Sequence, residues 1–326
     1  MSTSEVLLAD IGGTHARFAL TGRGEDALQP ERIRAFDVIA FPTLIEAMRH
    51  YLNVMDAEPE CAVLAVAGRV ERGEARMTNH RWSISLPQVR RELGSDSVLL
   101  VNDFAAQARC LGMLASGDLI AVGDSLTSGI DAQSDGVRVV AGAGTGLGVG
   151  VAVTQRGRTQ LLATEGGHVG FAPTTPDDQH LLAVLSQQFD RVSNERLISG
   201  PGLLNLHRAL APAGITTPSE PAEIAHRADG GDPLCGQVLD TFFGLFGQIV
   251  GDLVLAHGAW QGAYLAGGMV PRLLPWLLRS RFRQRFDDKG RFSDAMRRVP
   301  VFAVTHPHPG LLGAAGLAHD MLQSPA

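Results

Sequence analysis

The stretch LLADIGGTHARFAL, residues 7 to 20, places an aspartate, two adjacent glycines and a threonine between two short apolar runs. The apolar runs predict two paired strands, and Gly-Gly-Thr after an aspartate is ordinary chemistry for the turn between them. A second interpretation is that Gly12 and Gly13 lack side chains because a ligand approaches the backbone, with Asp10 and Thr14 beside it. This stretch alone leaves both interpretations open.

A weak internal repeat connects this stretch to the middle of the chain. VRVVAGAGTGLGVGVAVTQRG, residues 137 to 157, shares the plan of residues 6 to 24, in which an apolar strand, a Gly-Thr turn and a second apolar strand follow one another. Chance recurrence of glycine turns between valine-rich strands is the alternative. Two such hairpins, one in each half, could hold a phosphate chain by backbone N–H groups and threonine hydroxyls. The second turn supplies Gly144 and Thr145.

The glycine pattern excludes two common nucleotide motifs. The chain has no G-x-x-x-x-G-K-[ST] sequence, and the glycines of residues 142 to 150 recur at every second position instead of as G-x-G-x-x-G. A P-loop protein and a dinucleotide dehydrogenase are therefore both disfavoured.

Composition indicates a soluble globular α/β protein with two domains. The chain has 326 residues, of which 45 % are hydrophobic and 19 % are charged, and this length favours two hydrophobic cores over one. Strand-like and helix-like segments alternate through the first hundred residues, with helical spacing at 42 to 55 and buried strands at 61 to 70 and 97 to 103. A polar loop at 123 to 136 precedes the second hairpin near a change of domain.

Charge and cysteine usage exclude several classes of function. The net charge is −6 and the basic residues are scattered, so we expect no nucleic-acid partner. Three widely spaced cysteines fit neither a disulfide framework nor a cysteine-rich zinc site, and we expect reduced thiols in the cytoplasm. The N-terminus does not resemble a signal peptide, and the longest apolar span, 241 to 262, contains polar residues that predict a buried helix instead of a membrane span.

Four segments carry polar residues or glycines at places where a ligand could bind. Asn102 and Asp103 follow a buried strand, where they are either helix caps or groups that point toward a ligand. Glu165 and His168 flank two glycines that predict a tight turn, and the lack of further ligands at metal spacing disfavours zinc. Local sequence says least about Glu195, which precedes a capped helix start. Gly267 and Gly268 end a strand, where bare backbone suits a base or a ribose.

Taken in order, these segments resemble the bacterial glucokinase family of the hexokinase and actin-like ATPase fold group. The resemblance spans residues 9 to 316 and is carried by the segments ADIGGTHARFAL, MTNHRWSIS, VNDFAAQA, GAGTGLGVG, EGGHVGFAP, ERLISGPGLLNLHRA, AGGMVPR and HPGLLGAAG. It implies an α/β, two-domain actin-like ATPase (ribonuclease H-like) fold with a central interdomain cleft. The implied domains are a small one, 1–113 completed by a C-terminal helix at 308–326, and a large one, 114–307.

The resemblance also implies an activity, the ATP-dependent phosphorylation of glucose at its 6-hydroxyl, and a role for each candidate residue. Asp103 is implied as the general base. The implied sugar-hydroxyl ligands are Asn102, Glu165, His168, Glu195 and Asn79. Asp10 is implied to act through Mg²⁺ and its waters. The implied phosphate and adenosine contacts are Gly12, Gly13, Thr14, Gly144 and Thr145 for the phosphates, and Gly267 and Gly268 for the adenosine.

The sequence departs from the family pattern at two positions. We expect asparagine where His15 follows Gly-Gly-Thr, and a polar or acidic residue where Gly170 follows EGGHV. The first departure affects hydrogen bonding near the phosphates and the second affects the sugar pocket.

Two other functions stay open. One is a kinase for another hexose or an N-acetylhexosamine, and the other, less favoured, is a sugar-sensing protein without catalysis. For the leading interpretation we expect glucose and ATP as substrates, Mg²⁺ as cofactor, no structural zinc, a homodimer, and no nucleic acid or membrane partner.

Overall fold

The computed structural model describes residues 5–22, 28–77, 82–124 and 134–323, and these form two compact units. Unit 1 comprises Met1–Ala115, Thr159–Ala163 and His306–Ala326, and unit 2 comprises Ser116–Arg158 and Thr164–Thr305. The predicted domains, 1–113 with 308–326 and 114–307, stay a prediction, because compactness alone does not test whether each unit folds as a domain.

The described residues form strands β1 to β14 and helices α1 to α12. Up to Cys110 these are β1 (Val6–Ile11), β2 (His15–Thr21), β3 (Glu31–Asp37), α1 (Leu44–Met55), β4 (Cys61–Val66), β5 (Val70–Glu71), β6 (Glu74–Arg76), β7 (Ser83–Ser85), α2 (Leu86–Leu93), β8 (Val98–Asn102) and α3 (Asp103–Cys110). The remainder are β9 (Leu119–Ala121), β10 (Gly136–Ala143), β11 (Leu147–Gln155), β12 (Arg158–Thr164), α4 (Pro176–Leu185), α5 (Gly200–Leu210), α6 (Pro221–Asp229), α7 (Pro233–His257), β13 (Ala263–Ala266), α8 (Met269–Arg272), α9 (Leu274–Arg279), α10 (Phe282–Asp287), α11 (Ser293–Met296), β14 (Val301–Val304) and α12 (Pro309–Gln323).

A five-stranded sheet forms the centre of the described part of unit 1, in the order β3-β2-β1-β4-β8. The hairpin β1–β2 is antiparallel, whereas β1, β4 and β8 run parallel. Strand β4 is buried along its whole length, as expected of a parallel strand covered on both faces. Its register pairs Val66 with both Ile11 and Asn102, so β1, β4 and β8 end at the same edge of the sheet.

The sheet of unit 2 repeats this plan. Its strands run in the order β11-β10-β13-β14-β9, in which β10–β11 is an antiparallel hairpin and β13 and β14 run parallel to β10. The added strand β9 pairs antiparallel with β14. Both predicted hairpins are confirmed, and the weak sequence repeat corresponds to a repeated strand order.

Helix α7 is the main core helix of unit 2. It begins at Pro233 behind an Asp232 cap and ends at Gly258 in the left-handed conformation. Among the described residues it is the one helix long and apolar enough to cross a membrane by length and composition, yet 78 % of its most apolar window is buried inside the protein. The prediction of a buried helix is confirmed, although the helix starts earlier and ends earlier than the apolar span 241 to 262.

The C-terminal helix α12 completes unit 1. It packs against α3, β1 and β4. A Cβ atom on Gly313 would lie 1.8 Å from the carbonyl oxygen of Ala106 in α3, so glycine allows the two helices to approach closely. This packing holds the N-terminus of α12 against the end of β1.

Candidate active site

The first Gly-Thr turn connects β1 to β2. The Gly12 amide donates to the His15 carbonyl at 2.9 Å, and the Thr14 carbonyl accepts from the Val38 amide at 3.0 Å. Thr14 and His15 are exposed. A Cβ atom on Gly12 would make only one contact, at an ordinary 3.6 Å, so packing within the protein does not require glycine there. This supports the interpretation in which a ligand approaches the turn.

The second turn, Gly144-Thr145-Gly146, has a similar hydrogen bond within the turn and a further one from the start of α5. The Gly144 amide donates to the Gly146 carbonyl at 2.9 Å, and the Gly144 carbonyl accepts from the Gly200 amide at 2.8 Å. Thr145 is exposed, and a Cβ atom on Gly144 would meet no atom within 4 Å. Both turns thus present an exposed threonine and an uncrowded glycine.

Asp10 lies near the end of β1 in a crowded, mostly buried position. Its carboxylate is 18 % exposed and lies 3.6 Å from the Arg17 guanidinium. A Cβ atom on Gly310 would lie 2.6 Å from the Asp10 carboxyl carbon, which places the carboxylate against the first turn of α12. Burial raises the pKa of Asp10, and Arg17 only partly opposes this rise.

A magnesium ion fits Asp10 only when nucleotide phosphates supply further ligands. Within the described residues there is no group of three or more His, Cys, Asp or Glu side chains that could hold a metal ion. Mg²⁺ is commonly bound by one or two carboxylates, waters and substrate phosphates, and a single buried carboxylate suits this mode. Asp10 is thus a candidate for a nucleotide-dependent magnesium site.

Asn102 ends β8 and Asp103 begins α3, at the same sheet edge as Asp10. The Asn102 side-chain oxygen accepts from the amides of Phe104 and Ala105, and its amide group donates to the Gly68 carbonyl. Asn102 is therefore the N-cap of α3, and Asp103 is the first helical residue. Of the two helix-cap interpretations, the one for Asn102 is right and the one for Asp103 is wrong.

Glu165 and His168 flank a tight turn, as the sequence predicts. Residues Gly166–His168 form a single 3₁₀ turn, and the Glu165 carboxylate lies 3.9 Å from the His168 imidazole. A Cβ atom on Gly167 would lie 2.0 Å from the Leu147 carbonyl oxygen, so glycine lets this turn pack directly on β11. Both side chains are about half exposed, which leaves their polar atoms accessible to a ligand.

Glu195 lies against the second Gly-Thr turn. Its carboxylate oxygen Oε2 accepts from the Leu147 amide at 2.9 Å. Local sequence gave little reason to select Glu195, because its partner is 48 residues away.

Gly267 and Gly268 follow β13, beside the end of β10. Gly267 has φ +83°, and a Cβ atom there would lie 2.5 Å from the Ala143 carbonyl oxygen. Gly268 has no atom within 4 Å of its Cβ position. The backbone conformation and the fold therefore explain Gly267, whereas open space at Gly268 suits a ligand against the backbone.

The structure thus groups the candidate residues within each unit. Unit 1 places Asp10, Gly12 and Thr14 at the sheet edge where Asn102 and Asp103 emerge, and unit 2 places the second turn beside Gly267 and Glu195. The predicted sugar ligand Asn79 falls in 78–81, outside the described residues.

The two departures from the family pattern have simple structural consequences. The His15 imidazole lies 3.3 Å from the Asp37 carboxylate, and both side chains are exposed. Gly170 forms an isolated bridge with Ser193, and a Cβ atom there would meet only Arg191, at 3.6 Å. Neither position disturbs the backbone of a candidate segment.

Sequence reasoning missed the residues around Asp10. Arg17 follows the first turn, and Gly310 contacts Asp10 from the opposite end of the chain. Burial, with Arg17 and His306 nearby, lowers the pKa of His308. The one available signal was Pro309-Gly310 at the start of an apolar helix, which predicts a helix N-terminus but not its partner.

Comparison with known proteins identifies the family. The model of the glucokinase family matches residues 7–321. The chain belongs to the glucokinase family. A curated glucokinase from Stenotrophomonas maltophilia is 50 % identical over 323 residues, which cover 98 % of this chain and 96 % of the relative. This membership makes the chain an enzyme, a sugar kinase of the glucokinase type.

Solved structures of glucokinases share the fold. The glucokinase of an Antarctic psychrotroph is 35 % identical, with a TM-score of 0.82 and coverage of 97 % of this chain and 99 % of that one. A ROK family glucokinase from Streptomyces griseus, solved with glucose and AMPPNP, has a TM-score of 0.65 at 20 % identity, with coverage of 97 % and 99 %. That likeness shows the fold alone. The predicted α/β actin-like ATPase fold class is confirmed.

Proposed function

We propose that this glucokinase-family chain transfers the γ-phosphoryl group of ATP to the 6-hydroxyl of glucose, with Asp103 as general base. The observation that carries the proposal is the common edge of the unit 1 sheet, where Asp10, the first Gly-Thr turn and Asp103 all emerge. Asp10 and the first Gly-Thr turn are suited to bind a metal ion and phosphate, and the Asp103 carboxylate is suited to accept a hydroxyl proton. The curated glucokinase that is 50 % identical to this chain supports glucose as the acceptor.

Phosphoryl transfer depends on position and charge more than on covalent chemistry. The amides of the two turns and the hydroxyls of Thr14 and Thr145 would bind phosphate oxygens, and Gly267 and Gly268 would lie against the adenosine. A bound Mg²⁺, held through Asp10, would supply neutralisation of charge on the transferred group. Asn102, Glu165, His168, Glu195 and Asn79 would fix the sugar so that one hydroxyl is in line.

Asp103 would accept the proton of the 6-hydroxyl as the new bond to phosphorus forms. Asn102 keeps donor capacity beyond its capping bonds, because its side-chain oxygen accepts from two amides while its nitrogen carries a second hydrogen beyond the one donated to Gly68. The proposed roles as cap and as sugar ligand are therefore compatible.

A coupled assay of ADP release with a panel of sugars tests this proposal. We expect glucose-dependent release that requires Mg²⁺ and is slow without sugar. A markedly higher kcat/KM for another hexose or an N-acetylhexosamine would favour a kinase for that sugar instead. No sugar-dependent release with any member would contradict a kinase function and revive the sugar-sensing alternative, which family membership disfavours.

We further propose a cytoplasmic homodimer. The three cysteines are all buried, which is compatible with a reducing compartment. Light scattering in solution should give about twice the chain mass of 34.6 kDa, and a mass of a single chain would contradict the dimer.

A further inference from the structure

Glu195 makes a contact that sugar binding does not explain. Its Oε2 atom accepts the Leu147 amide at 2.9 Å, where β11 leaves the second Gly-Thr turn. A Cβ atom on Gly146 would lie 2.4 Å from the same oxygen, so the carboxylate packs directly on the turn backbone. The carboxylate thus lies against the turn on the side of Gly146 and Leu147.

The segment that carries Glu195 is itself well anchored. The Ser199 hydroxyl donates to the Glu195 carbonyl at 2.8 Å and accepts from the Gly202 amide at 3.0 Å, which caps α5. The next residue, Gly200, donates its amide to the Gly144 carbonyl at 2.8 Å. The start of α5 and Glu195 therefore hold the turn at both of its ends.

The same segment is joined to the turn that carries Glu165 and His168. The Asn194 amide donates to the Val169 carbonyl at 2.9 Å, and the Phe171 amide donates to the Val192 carbonyl at 3.0 Å. Gly167 packs against the carbonyl oxygen of Leu147, whose amide Glu195 holds. Leu147 is thus in contact with both proposed sugar-binding segments.

We infer that Glu195 is a positioning residue for the phosphate-binding turn Gly144-Thr145-Gly146, in addition to its proposed contact with sugar. The inference rests on the proposed function. Oε2 fixes the turn, and Oε1 would meet a sugar hydroxyl. One carboxylate would then couple the two substrates, so that sugar strengthens nucleotide binding and, by reciprocity, nucleotide strengthens sugar binding by the same factor.

The test is binding of Mg²⁺-AMPPNP without sugar, measured by titration calorimetry. Glu195→Ala should weaken this binding by about tenfold, because a hydrogen bond to a charged acceptor is lost from the turn. Glu195→Gln keeps an oxygen that can accept the Leu147 amide, so its sugar-free affinity should stay within about threefold of the parent. Glu58→Ala is the matched control, since Glu58 is an exposed glutamate that belongs to no proposed ligand set, and it should leave sugar-free affinity unchanged.

A second variant keeps the test decisive if Glu195→Ala does not fold. Gly146→Ala places a methyl carbon 2.4 Å from the position of Glu195 Oε2, so the carboxylate must leave the turn and sugar-free AMPPNP affinity should fall as in Glu195→Ala. In the parent, glucose should tighten AMPPNP binding, and Glu195→Ala should abolish that gain.

Parent-like AMPPNP affinity in Glu195→Ala or in Gly146→Ala would overturn the inference, as would a parent that binds no AMPPNP. The coupled assay separates this outcome from failure of the proposed function. A parent that phosphorylates glucose while both variants bind AMPPNP normally would leave the function standing and refute the positioning role. A parent that binds AMPPNP but phosphorylates no sugar would refute the function, and the sugar-free titrations would still decide the role of Glu195 at the turn.

Discussion

The glycines of the candidate site fall into two groups, those that close packing requires and those that packing does not require. A Cβ atom on Gly146, Gly167 or Gly310 would collide with neighbouring protein atoms. A Cβ atom on Gly144 or Gly268 would meet nothing within 4 Å. Packing does not require glycine at the second set, and the open space there is compatible with close approach of a ligand.

At the same scale, the role of Asp103 can be separated from helix stability. Asp103→Asn should lower kcat by about 10²- to 10⁴-fold, the usual contribution of a general base. Loss of one negative charge in the first turn of α3 should cost at most about 1 kcal/mol of stability. Steady-state kinetics measures kcat, and thermal unfolding of the same preparation measures the stability.

Asp177→Asn is the matched control for Asp103, because Asp177 is an exposed aspartate in the first turn of α4. It should show a comparable stability change with unchanged kcat. A kcat within a few-fold of the parent in Asp103→Asn would contradict the general-base role.

The buried carboxylate of Asp10 should lower the free energy of unfolding at neutral pH, because its charged form is desolvated in the folded protein. Because burial raises its pKa in the folded state above 3.8, its favourable contribution is complete below that pH and is lost as pH rises through the folded value. Asp10→Asn should therefore increase the free energy of unfolding at pH 7, and the gain should vanish in acid. Urea unfolding at pH 7 and below pH 4 measures both.

Asp37→Asn, at an exposed aspartate, serves as the control and should change little. Equal stability of the parent and Asp10→Asn at pH 7 would refute the desolvation argument. The activity of Asp10→Asn should fall together with its gain in stability, as expected where function opposes stability.

Among the elements of unit 2, a buried polar network joins α4, α7 and α10. Asp178 is 2 % exposed and accepts from Arg285 at 2.6 Å, while buried Gln248 of α7 accepts from Thr174 and donates to the Ala172 carbonyl. Burial alone would raise the pKa of Asp178, but hydrogen bonds from Arg285 and Thr174 outweigh it and lower the pKa. The network fixes the segment that follows the Glu165–His168 turn.

Removing the cation of this network should leave a buried charge without compensation. Arg285→Met should destabilise unit 2 by about 3–5 kcal/mol. Arg281→Met, in an exposed pair with Asp240, should cost about 0–1 kcal/mol. Denaturant unfolding at pH 7 measures the free energy of unfolding of both variants. Equal losses of stability in the two would show that the Asp178–Arg285 pair behaves as an ordinary surface pair.

Acid provides an independent check on the same pair. Because the folded pKa of Asp178 is lowered, its stabilising contribution is present above the ordinary value of 3.8 and is lost as pH falls through the folded value. The difference in the free energy of unfolding between the parent and Arg285→Met should therefore become smaller at acidic pH.

At the scale of the whole molecule, the proposed sugar ligands belong to both units. If the assignments hold, glucose should slow amide hydrogen exchange in unit 1, at residues 98–110, and in unit 2, at residues 164–172 and 192–199. Helix α1 carries no proposed ligand and serves as the internal control. Protection confined to one unit would contradict the ligands assigned to the other unit, while the kinase activity would be judged by the coupled assay.

The sequence predicted those features of the fold and site that depend on neighbouring residues. Both Gly-Thr hairpins, the tight turn of Glu165 and His168, and the Ser199 cap of α5 follow from residues a few positions apart. The helix start at Asn102 and Asp103 was also predicted. Which of these two residues is the N-cap depends on backbone geometry, which the sequence does not specify.

The sequence by itself thus determined the two hairpins and the buried strands β4 and β8, because periodicity and turn chemistry act over short distances along the chain. Strand β4 nevertheless ends at Val66, short of the predicted residue 70. Only the tertiary structure decided which distant groups meet. Glu195 holds an amide 48 residues away, Arg285 pairs with an aspartate 107 residues away, and Gly310 contacts Asp10. Such contacts depend on how sheets and helices pack, and no local pattern encodes that packing.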